Sequence, residues 1–301
     1  MTQPDLYNEL LREITSSRTY LADKPEESPE SALRALWFLA AGDPRSVERC
    51  HNYDLPTLSD ESQKLLRNFI REHLKGVPLS HLTGRQQFME VEMLVGPDAL
   101  IPRKETEILG YAALKLLKEA ISYSGYAQVI DLCTGSGNLA LALAYHEPNC
   151  RIFAADLSPD AVSLARRNAI HLALQDKVTF SVGDLFAPFA NDQFVGQIDM
   201  VVCNPPYITS QRVTEMPSEV SNYEPRLAFD GGPLGLSILL RLISEAPHYL
   251  KSGGWLGFEV GLGQGKFIRQ RLERNNEYSE IQALTDIDGN ERALLAQRTQ
   301  S

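Results

Sequence analysis

The most restrictive stretch of the chain is Val202-Cys203-Asn204-Pro205-Pro206-Tyr207-Ile208. An apolar run, Ile198-Asp199-Met200-Val201-Val202-Cys203, leads into it and reads as a short buried strand closed by a turn signal. Each proline fixes φ and has no N–H, and a residue before proline is kept out of the helical region. Neither sheet nor helix can continue through Asn204-Pro205-Pro206, so Asn204 is expected at the carboxyl end of a strand, in a stiff and extended exit. Such an exit suits the capture of a planar NH2 group, which needs acceptors for both protons and a face to lie on. The Asn204 oxygen and the Pro205 carbonyl are candidate acceptors, and Tyr207 is a candidate platform. A proline-rich strand exit with a buried tyrosine explains the same letters without a ligand.

From Ala127 onward, apolar runs alternate with helical spacing, which predicts an α/β fold with a mainly parallel sheet covered on both faces. The expected strands are Ala127 to Leu132, Arg151 to Ala155, Val178 to Val182, Ile198 to Cys203, Trp255 to Val260, Ile281 to Asp286 and Arg292 to Gln297. In sheets of this kind, ligands bind beyond the carboxyl ends of the strands. Ahead of the sheet, the organisation changes. Residues 1–76 read as helices, with Tyr7, Leu10, Leu11 and Ile14 at helical spacing and likewise Leu33, Leu36, Trp37 and Ala40. A polar connection, Lys24 to Pro29, separates them, and a further helix from Asp60 to Lys75 is expected to be capped by Asp60 with Gln63. Residues 77–101 read as a hairpin linker through Phe88, Val91, Met93 and Val95. Residues 102–301 make up the larger domain.

Three further motifs fall at expected strand ends. Asp131-Leu132-Cys133-Thr134-Gly135-Ser136-Gly137 is a glycine-rich turn between a strand and an apolar helix. It lacks the lysine of a triphosphate-binding loop and the third glycine of a dinucleotide fingerprint, which leaves a turn for another adenosine-bearing cofactor or a tight turn with no ligand. Asp156, with Leu157 beside it, ends the second strand about 20 residues later, where ribose hydroxyls are gripped. Asp184 and Leu185 follow the third strand, placed to meet an adenine amino group and ring. Arg103, just ahead of a helix, is a candidate for the substrate side. The stretch from Thr209 to Pro233 is long for a loop inside a compact domain, and such loops commonly carry function.

Composition narrows the partners. With 29 Lys+Arg against 39 Asp+Glu the net charge is −10, which removes the main source of affinity for phosphate backbones. Direct nucleic-acid binding is therefore not expected. No apolar stretch is long enough to span a bilayer. The four cysteines, Cys50, Cys133, Cys150 and Cys203, show neither a C-x-x-C pair nor zinc-like spacing, so a metal site is not expected and a cytoplasmic location is.

Taken together the motifs resemble the class I S-adenosylmethionine-dependent methyltransferases, and specifically the HemK-type protein-glutamine methyltransferases. The likeness runs from about Gly76 to Arg292. It rests on Ile101-Pro102-Arg103 with Thr106-Glu107, the glycine turn, Asp156 to Ala161 with Asn168, and Asn204 to Tyr207. It continues through Glu224-Pro225, Gly231-Gly232 with Gly235-Leu236, Glu259-Val260-Gly261 with Gln264, and Asp288-Gly289 with Arg292. The resemblance implies a seven-stranded Rossmann-like sheet behind a small helical domain that docks a protein substrate. It also implies S-adenosylmethionine as cofactor, held by Asp131, Cys133 to Gly137, Asp156, Leu157, Asp184, Leu185 and Asn204. Asn204 to Tyr207, with Arg103, would hold a glutamine amide, and acceptors placed there would stabilise charge that develops on the methylated nitrogen. The segments around Arg103, Glu259 and Asp288 resemble the branch acting on the Gly-Gly-Gln motif of peptide-chain release factors, and a monomer is expected. A glutamine of a large-subunit ribosomal protein, adenine-N6 methylation of nucleic acid and a non-catalytic cofactor-binding role are the alternatives. Two positions depart from the family pattern: Leu185 stands where an aromatic is often found, and Cys133 where glycine is commoner.

Overall fold

The structure, a computed structural model, describes residues 2–18, 20, 26–216 and 222–300. Lys24 and Pro25 of the polar connection and residues 217–221 of the stretch after Tyr207 lie outside the described residues.

Ahead of the first strand, the described residues form five helices, α1 (Gln3–Ser17), α2 (Pro29–Ala40), α3 (Val47–Cys50), α4 (Asp60–Leu74) and α5 (Leu79–Thr83). Their apolar stripes meet in one cluster that includes Leu6, Leu10, Ile14, Leu33, Leu36, Trp37, Leu66 and Ile70. The buried stripe of α1 is Leu6, Leu10 and Ile14, so it is rotated relative to the expected one, and Tyr7 and Leu11 sit at its margin. Helix α4 is capped by Ser59, whose hydroxyl accepts the Ser62 N–H, and not by Asp60. Asp60 instead occupies the first turn, where its charge complements the helix dipole.

Strands β1 (Arg85–Phe88) and β2 (Val91–Leu94) form the expected hairpin. Its two-residue turn, Met89-Glu90, has positive φ at both positions, the geometry that matches the twist of two-residue hairpins. Phe88, Met89, Val91 and Met93 sink into one of the two cores of the large sheet, so the hairpin is packed onto it as well as joining the helices to it. The helices touch the hairpin through polar groups: Glu92 accepts from the Ser46 N–H at 2.8 Å and pairs with Arg49 at 3.1 Å.

The large sheet contains β3 (Ala127–Leu132), β4 (Cys150–Asp156), β5 (Val178–Val182), β6 (Ile198–Cys203), β7 (Leu250–Glu259), β8 (Tyr278–Thr285) and β9 (Glu291–Arg298), in the order β5-β4-β3-β6-β7-β9-β8. The first five strands in that order run parallel and β9 is antiparallel to both its neighbours. Helices α6 (Thr106–Ser124), α7 (Asn138–His146) and α8 (Pro159–His171) bury one face. On the other lie α10 (Ser237–Tyr249) and α11 (Gly265–Glu273), with Phe186, Phe189 and Phe194; a short α9 (Ser210–Val213) lies in the stretch after Tyr207. Strand β7 begins at Leu250, earlier than Trp255, because its register against β6 shifts over the Gly253-Gly254 pair and then resumes, with Met200 opposite Trp255. The chain leaves β3 for β4 on one side and later returns to place β6 on the other, which opens a crevice at the carboxyl ends of these strands.

Candidate active site

Four strand ends converge on one cleft, open to solvent, with about 1010 Å³ of empty space that extends into the solvent at its mouth. Its lining includes Asp131, Cys133, Thr134, Gly135 and Ser136 after β3, Asp156 and Leu157 after β4, Asp184 and Leu185 after β5, and Asn204 and Pro206 after β6. Arg103 and Thr106 close it from the start of α6. Parallel register aligns the groups after β3, β4 and β6, since Leu132 lies opposite both Ala155 and Cys203. Three expected residues fall outside the lining: Gly137, Pro205 and Tyr207.

The glycine turn is held by two carboxylates. Asp131 accepts from the Thr134 hydroxyl at 2.5 Å and from the Ala140 N–H at 3.2 Å, both through Oδ2. Its Oδ1 is buried and has no partner. Burial pushes the Asp131 carboxyl up to about 7 against the lowering effect of those two hydrogen bonds. Asp156 accepts the Gly135 N–H at 2.8 Å and the Ser158 N–H at 2.9 Å, while Ser158 caps α8. Burial also raises Asp156, opposed by its backbone hydrogen bonds.

The two glycines serve different purposes. A Cβ on Gly135 would meet nothing within 4 Å, so its backbone is open toward the cleft, whereas one on Gly137 would press on Leu141, Ala165 and Phe180 at 3.1–3.2 Å. Gly137 thus lets helix α7 pack against its neighbours. Cys133 adopts φ +55°, a left-handed conformation that glycine takes at little cost, which explains why glycine is common in this place. Leu185 is likewise left-handed, at φ +46°, and buried. Asp184 is half-exposed and paired with Arg241 of α10 at 2.9 Å.

Beyond β6, three connected groups surround Asn204. Its Nδ2 donates to the Thr106 hydroxyl at 3.1 Å, that hydroxyl donates to Glu259 Oε2 at 2.6 Å, and the Tyr207 hydroxyl donates to Glu259 Oε1 at 2.8 Å. Glu259 ends β7, one strand over from β6, and is 2% exposed. Burial lifts its carboxyl above the ordinary range, and the Tyr207 phenol is raised by burial and by the adjoining carboxylate. Tyr207 therefore points away from the cleft into this network.

Glycines keep the exit from β6 in place. A Cβ on Gly231 would stand 2.6 Å from the Pro206 oxygen, and one on Gly235 2.2 Å from the Tyr207 oxygen. The Tyr207 oxygen also accepts the Gln264 amide at 3.0 Å. Arg103 is paired with Glu224 at 2.5 Å, and Glu224 also accepts the Ile101 N–H at 2.9 Å. One guanidinium nitrogen of Arg103, Nη1, is buried and unpartnered.

Thr106, Glu224 and Glu259 were not among the candidate residues read from the sequence, although each lies in a segment that carries the family resemblance. The available signal was a glutamate at the end of an apolar strand, Leu256 to Glu259, where an acidic residue must find partners to be buried.

A family model described as "Methyltransferase small domain" matches residues 112–220. The release factor glutamine methyltransferase of Moorella thermoacetica is 40% identical over 223 residues, covering 74% of this chain and 76% of that protein. Its counterpart in Rhodopirellula baltica is 32% identical over 290 residues, covering 96% of each. Among solved structures, the human Mettl16 catalytic domain, crystallised with an RNA hairpin, superposes with a TM-score of 0.52 at 15% identity, over 68% of this chain and 74% of that one, a likeness of fold alone. With identity sustained along nearly its whole length, the chain belongs to the release factor glutamine methyltransferase family.

Proposed function

We propose that this chain transfers a methyl group from S-adenosylmethionine to the side-chain amide nitrogen of a glutamine, in the Gly-Gly-Gln motif of a peptide-chain release factor. The observation that carries the reading is the joining, in a single cleft, of an unpartnered buried carboxylate oxygen on Asp131 with the Asn204 carboxamide held by Thr106.

The chain's own groups suit the cofactor. Asp131 Oδ1 offers an acceptor for an ammonium, Gly135 leaves room for close approach, and Asp156 stands where ribose hydroxyls are taken, with Leu157 and Leu185 as apolar neighbours for the adenine. When bound, S-adenosylmethionine would supply a methyl group on a sulfonium sulfur, which would leave as a thioether as the methyl passed to the amide nitrogen and one amide proton went to water. Asn204 Oδ1 and the Pro205 carbonyl accept the two amide protons of the substrate and hold its nitrogen lone pair toward the methyl. As positive charge grows on that nitrogen, these fixed acceptors stabilise it.

Residues 1–76 are read as the module that docks the protein substrate, 77–101 as the linker and 102–301 as the catalytic domain, working as a monomer in the cytoplasm. The net charge of −10 removes the main source of affinity for phosphate backbones and so favours a protein substrate over nucleic acid. Incubation of purified release factor with the chain and labelled cofactor, followed by peptide mass spectrometry, tests the reading. It expects one methyl on the glutamine of Gly-Gly-Gln, and label on a ribosomal protein or on adenine instead would overturn it.

A further inference from the structure

We infer that Glu259 is a positioning residue which, through Thr106, decides which end of the Asn204 carboxamide faces the substrate. The inference rests on the proposed transfer to a glutamine amide.

The two ends of a carboxamide have nearly the same shape, so packing does not choose between them and hydrogen bonding must. Asn204 can serve as an acceptor for a substrate NH2 only if its own NH2 is turned inward. The inward neighbour is the Thr106 hydroxyl, 3.1 Å away, and a hydroxyl has one proton to give. That proton is committed to Glu259 Oε2 at 2.6 Å, because an ionised carboxylate only accepts. Toward Asn204 the Thr106 oxygen is therefore an acceptor, which holds Nδ2 inward and Oδ1 toward the cleft. The same carboxylate receives the Tyr207 hydroxyl on its other oxygen, so one buried charge orders both ends of Asn204-Pro205-Pro206-Tyr207. Backbone register makes this possible: Cys203 pairs with Phe258, which sets Asn204 beside Glu259.

The direction of the relay depends on Glu259 being ionised. The charged and titratable groups around it are Tyr207, Arg292 of β9 and Glu105 ahead of α6; Arg292 favours the ionised form and Glu105 opposes it. A proton on Glu259 converts an acceptor into a donor. The Thr106 proton is then free to point at Asn204, the carboxamide turns over, and an NH2 faces the substrate NH2.

The test compares Glu259→Gln, Thr106→Val and Thr106→Ser with the wild type. Glu259→Gln keeps the shape but leaves one acceptor oxygen, with an NH2 donor beside it, for the two hydroxyls of Thr106 and Tyr207, so the relay is no longer held in one direction; Thr106→Val keeps the bulk and loses the relay, and Thr106→Ser keeps the relay. For the first two, kcat is expected to fall about a hundredfold, the scale of losing one preorganised polar partner, with cofactor affinity unchanged, while Thr106→Ser stays close to wild type. The wild-type rate should fall on the acid side with an apparent pKa above that of an ordinary glutamate, and the residual rate of Glu259→Gln should lack that limb. A readout without substrate runs alongside: in asparagine-labelled protein, the Asn204 side-chain NH2, assigned by its loss in Asn204→Ala, should exchange slowly in wild type and Thr106→Ser and faster in Thr106→Val and Glu259→Gln. Unaltered exchange and rate in Glu259→Gln would overturn the positioning role, as would a Thr106→Ser variant as impaired as Thr106→Val. Should Glu259→Gln lose cofactor binding through misfolding, the Thr106 pair decides alone. A wild type that leaves the release factor unmethylated counts against the proposed function, and the exchange measurement then decides the positioning by itself.

Discussion

Arg103 and Glu224, 121 residues apart in sequence, form an ion pair of 2.5 Å at the mouth of the cleft, and Glu224 holds the Ile101 N–H with its other oxygen. The segment that follows Asn204-Pro205-Pro206-Tyr207 is thereby anchored to the segment that enters α6. The chain beyond the exit from β6 and the approach to α6 are thus joined through one buried carboxylate, Glu224, whose side chain is 2% exposed.

Replacing Glu224 by Ala leaves an unpaired guanidinium and an unpaired N–H. Arg103 keeps some contact with solvent, so the expected loss of stability is about 2 kcal/mol, below the 3–5 of fully buried pairs. Chemical denaturation measures the loss, and limited proteolysis between residues 222 and 233 should quicken in the same variant. Equal stability and equal cleavage would show that the pair anchors nothing.

In the proposed transfer, Asn204→Ala removes the acceptor that stabilises charge as it develops on the nitrogen. The rate constant for methyl transfer should drop at least about a hundredfold, with calorimetric affinity for S-adenosylmethionine nearly unchanged. Simultaneous loss of both would indicate damage to the fold.

The proposed contact between Asp131 and the cofactor's ammonium predicts that cofactor binding depends on pH. In the free protein its carboxyl titrates at about 7, held there by burial against the Thr134 and Ala140 hydrogen bonds, with Asp156 adding repulsion and the Cys203 thiol close by. An ammonium beside Oδ1 favours the ionised form, so at lower pH binding must first release a proton. Affinity is expected to rise about eightfold from pH 6 to 7.5, and Asp131→Asn should flatten the profile. A profile that falls over this interval in the wild type would contradict the assignment of Asp131 Oδ1 to the ammonium.

Gly231→Ala puts a Cβ 2.6 Å from the Pro206 oxygen, at a position with no positive φ. The steric cost is about 1–3 kcal/mol, and because it displaces the strand exit, transfer should fall with it. Gly125→Ala is the control: its φ is +75°, a Cβ there meets nothing within 4 Å, and it ends α6. It should cost about 1–2 kcal/mol of stability through backbone strain while the specific activity of the folded protein is retained.

Much of the fold was legible because parallel strands buried on both faces must be apolar runs, and turns between them must use glycine, proline or short polar residues. The strand at Ala127 to Leu132 and the one at Ile198 to Cys203 were read to the residue. Where glycine both punctuates and continues a strand, as at Gly253-Gly254, the letters are ambiguous, and the start of β7 was read late. The rotated stripe of α1 has a similar cause, since Tyr7 and Leu11 are apolar enough to extend the pattern and the neighbouring helices choose which edge is covered.

What the sequence determined by itself was the backbone stiffness of Asn204-Pro205-Pro206, the glycine turn, and the acidic residues at successive strand ends, because these are local consequences of φ restriction, missing Cβ atoms and spacing. Only the tertiary structure decided that Tyr207 turns from the cleft toward Glu259, that Gly137 serves helix packing, and that Thr106 supplies the acceptor beneath Asn204. Hydrogen-bond partners 52, 98 and 153 residues apart are brought together by strand order and register, and no local propensity encodes which of them will meet.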